Sequence, residues 1–144
     1  PLAFWQARRD ATERKVTIPG EAPQKDLALV LGTTFSPRFV VTDNAAGGSL
    51  VDFTNYTAHA QVRLQATPDT AAADFDLTTT NGGVTLGGSQ GTVDLLISAT
   101  ATAAIARTHV GQNAARYGVF VTDASGVVTP LVWGFVEIIA PVVH

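Results

Sequence analysis

Gly87-Gly88-Ser89-Gln90-Gly91 fits the G-x-S-x-G pattern of a nucleophile elbow. In that device a strained turn between a strand and a helix lifts a serine hydroxyl toward a histidine and an acid. The surroundings argue against this chemistry. Thr92 to Ile97 reads as a strand where a helix is required. The stretch is Gly-rich, so the match arises easily by chance, and an α/β-hydrolase needs a larger chain with alternating helices. Ser89 is therefore expected in a turn.

The remaining reactive side chains form no set. His59, His109 and His144 share no H-x-x-x-H spacing and have no acid beside them in a motif, so each reads as a solvated histidine. Asp74 and Asp76 are expected on one strand face. Paired carboxylates can do acid–base work or hold calcium, but a lone D-x-D lacks the further ligands and reads as a solubilising face. Gly82-Gly83 and Gly87-Gly88 lack the Lys-Ser/Thr and the following helix of a phosphate loop. Asn55-Tyr56-Thr57 is a formal glycosylation sequon, but Leu2 to Trp5 is too short for a secretion signal, and arginines follow it instead of preceding it. No catalytic residues, metal or cofactor are expected, and the chain is read as a non-enzyme.

The N-terminal residues suggest contact rather than catalysis. Phe4 and Trp5 precede a charged run containing Arg8 and Arg9, outside any strand pattern. Two readings stay open: the arm folds back on its own domain, or it buries Phe4 and Trp5 in a neighbour while Arg8 and Arg9 pair with acidic rims. Trp and Arg are the residues most enriched at binding hot spots.

The elements that must carry these residues are mostly strands. Tyr56, Ala58, Ala60, Val62 and Leu64 alternate with Thr57, His59, Gln61, Arg63 and Gln65, the period of a strand with one face on a core. Val93, Leu95 and Ile97 repeat the pattern, as do Tyr117, Val119 and Val121. Leu27–Leu31 and Thr34–Thr42 are strand-like, with Pro37 marking an edge or bulge. Val127 to Ile139 is apolar on both faces, and Pro130 and Gly134 predict a kink or bulge inside it. Loops are expected at Asp43–Ser49, Thr67–Asp69, Asn81–Gly91 and Asp123–Gly126, the last as a hairpin turn. Ser98 to Ala106 is Ala-rich and predicts a helical turn or two, with Ser98 or Thr100 as cap. Phe4 to Lys15 has the composition of a short helix, and Pro19-Gly20 and Pro23 end regular structure. The chain thus divides into an arm, 1–23, and a domain, 24–144. The expected fold is all-β: an immunoglobulin-like antiparallel β-sandwich with one short helical turn and an extended N-terminal arm. A small closed barrel is the alternative.

Composition agrees with one folded domain. The 144 residues are 46% hydrophobic and 15% charged, without cysteine, and the formal charge is -3. This excludes disulfide scaffolds and thiolate chemistry, and argues against nucleic acid as a partner. No apolar run is long enough for a membrane span. Residues 1–25 hold five basic side chains against three acidic ones, a balance of +2, which leaves -5 for the rest.

The order of motifs is familiar. Leu27-Ala-Leu-Val-Leu-Gly32-Thr-Thr-Phe35 is followed by Leu50-Val-Asp52-Phe-Thr-Asn-Tyr56-Thr-Ala58 and the strand ending Gln61-Val-Arg63. Then come Leu77-Thr-Thr-Thr-Asn-Gly82-Gly-Val84, Gly91 to Ser98 with its Ala-rich turn, Tyr117-Gly-Val119, the hairpin Asp123 to Thr129, and a last strand with Gly134. Over residues 24–140 this succession resembles small tailed-phage virion proteins similar to the N-terminal domain of the baseplate upper protein family. The resemblance implies a non-catalytic structural protein of the tail or baseplate, expected as a homo-oligomer that contacts other virion structural proteins. It also implies localisation in the virion after assembly in the host bacterial cytoplasm, where a cysteine-free chain is at home. A capsid decoration or neck protein fits the arm and short length as well. A carbohydrate- or host-surface-binding module is a further alternative. It needs exposed aromatics, and Tyr56, Tyr117 and Trp133 are expected to point inward.

Overall fold

The structure, a computed structural model, describes residues 13–18, 22–43, 48–65, 73–112 and 114–141. Among them nine strands form two packed sheets. In chain order these are β1 (Glu13–Ile18), β2 (Leu27–Val30), β3 (Arg38–Asp43), β4 (Thr57–Arg63), β5 (Phe75–Thr78), β6 (Val84–Leu86), β7 (Thr92–Leu95), β8 (Arg116–Thr122) and β9 (Val128–Ile139). One helix, α1 (Ala99–Ala103), lies between β7 and β8. The sheet orders are β1-β3-β7-β6 and β2-β9-β8-β4-β5. Most pairs are antiparallel, but β1–β3 and β2–β9 run parallel. The fold is therefore an all-β sandwich.

Alternation builds the core, because successive strand side chains take opposite faces. Ala58, Ala60 and Val62 of β4 and Tyr117, Val119 and Val121 of β8 are buried from one sheet, and Phe39, Val41, Val93 and Leu95 from the other. Phe39 and Tyr117 stack across the interior with ring centroids 6.1 Å apart. The Tyr117 hydroxyl donates to the Lys25 carbonyl, which satisfies its polar end inside.

The last strand shows why Pro130 and Gly134 are where they are. Val119 pairs with Val132 but Phe120 pairs with Pro130, so Leu131 is an extra residue. This bulge lets Leu131 and Val132 both point into the core, and Pro130 sits where no ladder donor is needed. Gly134 lies in the regular ladder opposite Tyr117, not in a bulge. A Cβ there would overlap the Lys25 carbonyl, so glycine allows the segment before β2 to run against β9. Lys25 N–H donates to Trp133 O at 2.8 Å and Trp133 N–H to Pro23 O at 3.2 Å.

Three local expectations change. Phe4–Lys15 is not helical at its end, because β1 extends from Glu13 and Val16 is buried in the core. Strand pairing and burial override composition there, and part of the span read as arm belongs to a sheet. Residues 81–91 are not all loop, since β6 pairs with β7. In the 34–42 run the strand itself starts after Pro37, with Phe35 making only an isolated bridge to Ile97. The loop expected at Thr67–Asp69 and residues 44–47 of that at Asp43–Ser49 lie outside the described residues; two other local readings hold. Ser98 caps α1 by accepting the Ala101 N–H at 3.2 Å, and buried Thr102 ties the helix to the 32–33 turn by donating to Thr33 O at 2.7 Å. In the 123–126 turn the Asp123 carboxylate accepts from Ser125 N–H and Val127 N–H, at 2.8 and 3.0 Å, and Gly126 has φ 88°.

Candidate functional site

Phe4, Trp5, Arg8, Arg9 and His144 lie outside the described residues. The other candidates are dispersed. Ser89 is exposed in a 3-10 turn at Gly88–Gln90, followed by strand β7. His59 Nε2 contacts the Asp76 carboxylate across β4 and β5. Asp74 does not join them, because its carboxylate accepts the Leu64 N–H at 2.7 Å. His109 ends a second 3-10 turn, Arg107–His109.

The face that gathers chemistry is the outer side of the five-stranded sheet. Because Tyr117, Val119 and Val121 face the core, β8 turns Arg116, Gly118 and Phe120 outward. Beyond its bulge, β9 buries Val132, Val136 and Ile138 and turns out Trp133, Phe135 and Glu137. This overturns the inward expectation for Trp133; Tyr117 is buried and Tyr56 partly so. The sequence did hold a signal, since Trp133 and Phe135 share parity with the charged Glu137. Trp133 and Phe135 are each 45% exposed and Phe120 38%. Val128 and Pro130 extend the same ridge toward the hairpin. Contiguous exposed apolar side chains of this kind mark interaction sites more often than lone ones do.

Register fixes what surrounds the aromatics. Gly118 lies opposite both Trp133 and Gln61, and Arg116 opposite both Phe135 and Arg63. The missing side chain at Gly118 leaves a depression of about 160 Å³, lined by Gln61, Arg63, Arg116, Gly118 and Phe120. The Phe120 ring leans over its floor, 3.7 Å from where a Gly118 Cβ would stand. Trp133 and Phe135 meet edge to face at 6.3 Å and 68°, forming a corner instead of a flat platform. Arg63 is buried, 8% exposed. At the border with β2, the Asp26 carboxylate accepts the Phe135 N–H at 3.0 Å and Gln24 Nε2 at 3.1 Å. These bonds, that of Phe135 first, hold the Asp26 carboxyl below its ordinary pKa.

A larger depression, about 300 Å³, follows the open edge of β2 and is lined by Leu27, Ala28, Val30 and residues 33–37. Its polar side chains are hydroxyls, and that of Thr33 is already bonded to Val30 O at 2.7 Å. It offers neither charge nor an exposed aromatic.

No protein-family model and no curated protein sequence matches the chain.

Proposed function

We propose that this chain is a non-enzymatic structural protein of the tailed-phage virion. In this reading it is a tail or baseplate component that assembles with copies of itself and with other virion proteins. The observation that supports this most is the outward cluster of Trp133, Phe135 and Phe120 on one sheet face. Large aromatics half-exposed around a glycine floor are costly to leave in water and are characteristic of protein contact sites. The order of motifs along the chain supplies the virion context. The sandwich is read as immunoglobulin-like, a reading helped by the last strand pairing parallel with β2 near the start of the domain.

Mass spectrometry of purified phage particles tests the proposal. The wild-type chain is expected in the particle. The double variant Trp133→Ser/Phe135→Ser is expected to be folded but incorporated at least about tenfold less, because aromatic anchors carry most interface energy. Absence of the wild-type chain from particles, or full incorporation of the folded variant, refutes the proposal.

A further inference from the structure

We infer that the partner on this face is a second copy of the chain. The two copies pack face to face about a two-fold axis that runs along the strands between β8 and β9, and Trp133 of each sits in the Gly118 depression of the other. The inference rests on the assembly reading above and adds the partner and its geometry.

Register is the first support. Trp133 on β9 and Gly118 on β8 lie directly opposite one another in the ladder. The face thus carries a projecting ring and a missing side chain at the same level on neighbouring strands. A two-fold axis along the line between those strands exchanges them, so that β9 of one copy faces β8 of the other. Each Trp133 then meets the place where Gly118 has no side chain. An isologous contact needs this self-complementarity, in which residue i meets j and j meets i. The next outward pair behaves in the same way. Phe120 lies opposite Pro130, so the axis lays that ring on Pro130 of the second copy. An axis across the strands at the same level would instead set Trp133 on Trp133 and leave both depressions empty. Twisted sheets pack face to face with their strand directions within about 30° of each other, as this axis requires.

Fit is the second support. The depression holds about 160 Å³, and a site on the order of 150 Å³ accepts one benzene-sized ring. The Phe120 ring over its floor offers a surface to stack on. Gln61 at its wall offers a carbonyl to the indole N–H, which needs an acceptor once it leaves water. Within its own chain Trp133 meets Phe135 edge to face and does not line the depression. Arg63 and Arg116 are partnered within the fold and take no part in this selection.

The face is also large enough. The strands β2, β9, β8 and β4 lie side by side. At about 4.8 Å between strands and about 3.3 Å per residue, the stretch from Val128 to Phe135 marks out roughly 500 Å² per copy. Two such faces give roughly 1,000 Å², the size at which a specific contact becomes stable.

The test is sedimentation of the full chain over a range of concentrations. The wild type is expected to pass from monomer to dimer with a midpoint on the order of 10 µM. Gly118→Val fills the depression and Trp133→Ser removes its occupant. Each is expected to weaken the dimer at least about tenfold while the spectrum stays folded. An equimolar mixture of the two variants restores one of the two contacts, because Trp133 of the first enters the intact depression of the second. The mixture is expected to form a heterodimer at least about tenfold more tightly than either variant self-associates. Isotope-filtered NMR of mixed labelled and unlabelled wild-type chains needs no variant. It is expected to show contacts between the Trp133 indole and the Gly118 α-protons of different chains. A wild type that stays monomeric at about 1 mM overturns the inference. So does a dimer that Gly118→Val leaves unchanged, a mixture no tighter than its parts, or absence of those intermolecular contacts. Particle incorporation separates this from failure of the assembly reading. If the wild type is monomeric but Trp133→Ser/Phe135→Ser is excluded from particles, the face assembles and a second copy is the wrong partner. If that double variant enters particles normally, the assembly reading falls, and the dimer stands or falls on the sedimentation.

Discussion

The two sheets bury similar side chains but present opposite outer faces. On the four-stranded sheet the outward residues include Lys15, Thr17, Thr42, Thr85 and Thr92, and Arg38 pairs with Asp94 across β3 and β7, joining unlike charges. On the five-stranded sheet the outward residues include Phe120, Trp133 and Phe135; Arg63 and Arg116 stand opposite one another, and His59 contacts Asp76. The first face is self-sufficient in water. The second leaves apolar area exposed. Architecture is therefore carried by the interior of both sheets, while the exterior of only one is shaped for something else.

The largest effect is expected where the second face meets its support. Gly134→Ala drives a Cβ into the Lys25 carbonyl, and backbone on both sides leaves little room to yield. A loss of about 3 kcal/mol is expected in chemical denaturation. A loss below about 1 kcal/mol would show that the segment before β2 is not held against β9 as described. Next comes Trp133→Ser/Phe135→Ser, which removes half-buried rings and their edge-to-face contact, costing about 2 kcal/mol in stability. Thr17→Ser/Thr85→Ser on the other sheet should leave stability within about 0.5 kcal/mol. If particle incorporation responds equally to both double variants, the contrast between the faces is lost.

How much of this was legible in the sequence depends on how many forces act on a residue at once. The alternation from Thr57 to Arg63 reports one force, burial of one face, and β4 follows it. The Ser98 cap and the Asp123 turn depend on local bonds and could be read locally. β1 could not: Glu13–Ile18 is polar, and only pairing with β3 makes it a strand. The aromatic face was hidden for a related reason. β9 is apolar on both sides, so period alone does not say which side is inside. The bulge at Leu131 then changes parity partway along the strand. Gly118 gains meaning only through its partners Trp133 and Gln61 on other strands. The phage resemblance comes from the sequence alone.

A smaller difference is expected from the arginines. Arg38→Gln breaks an exposed two-bond pair with Asp94 and should cost about 0.5 kcal/mol, falling toward zero as salt screens the pair. Arg116→Gln loses contacts within the fold but also relieves repulsion from Arg63, so its net effect should be smaller. Raising salt should weaken the wild-type advantage over Arg38→Gln and not that over Arg116→Gln. Equal losses from the two variants, with equal salt dependence, would mean that the Arg63–Arg116 pair is as well balanced as the Arg38–Asp94 pair.

The smallest effect concerns acid. Asp26 at the border of the aromatic face and Asp52 in the loop before β4 both have pKa values below the ordinary 3.8, the first through the Phe135 N–H and then Gln24, the second through the Thr54 hydroxyl and then its N–H. A folded-state pKa below the unfolded one means that the native state holds its charge more tightly. Each group thus contributes stability that is full above the unfolded value and is lost as pH falls through the folded one. Both carboxyls are exposed, so the contribution is modest. Asp26→Asn and Asp52→Asn should each flatten the acid limb of the stability profile below about pH 4 and leave its slope near pH 7 unchanged. Only Asp26→Asn should also disturb the Phe135 amide resonance, because Asp52 bonds to Thr54. An acid limb unchanged by Asp26→Asn would detach Asp26 from the strand that presents the aromatic face.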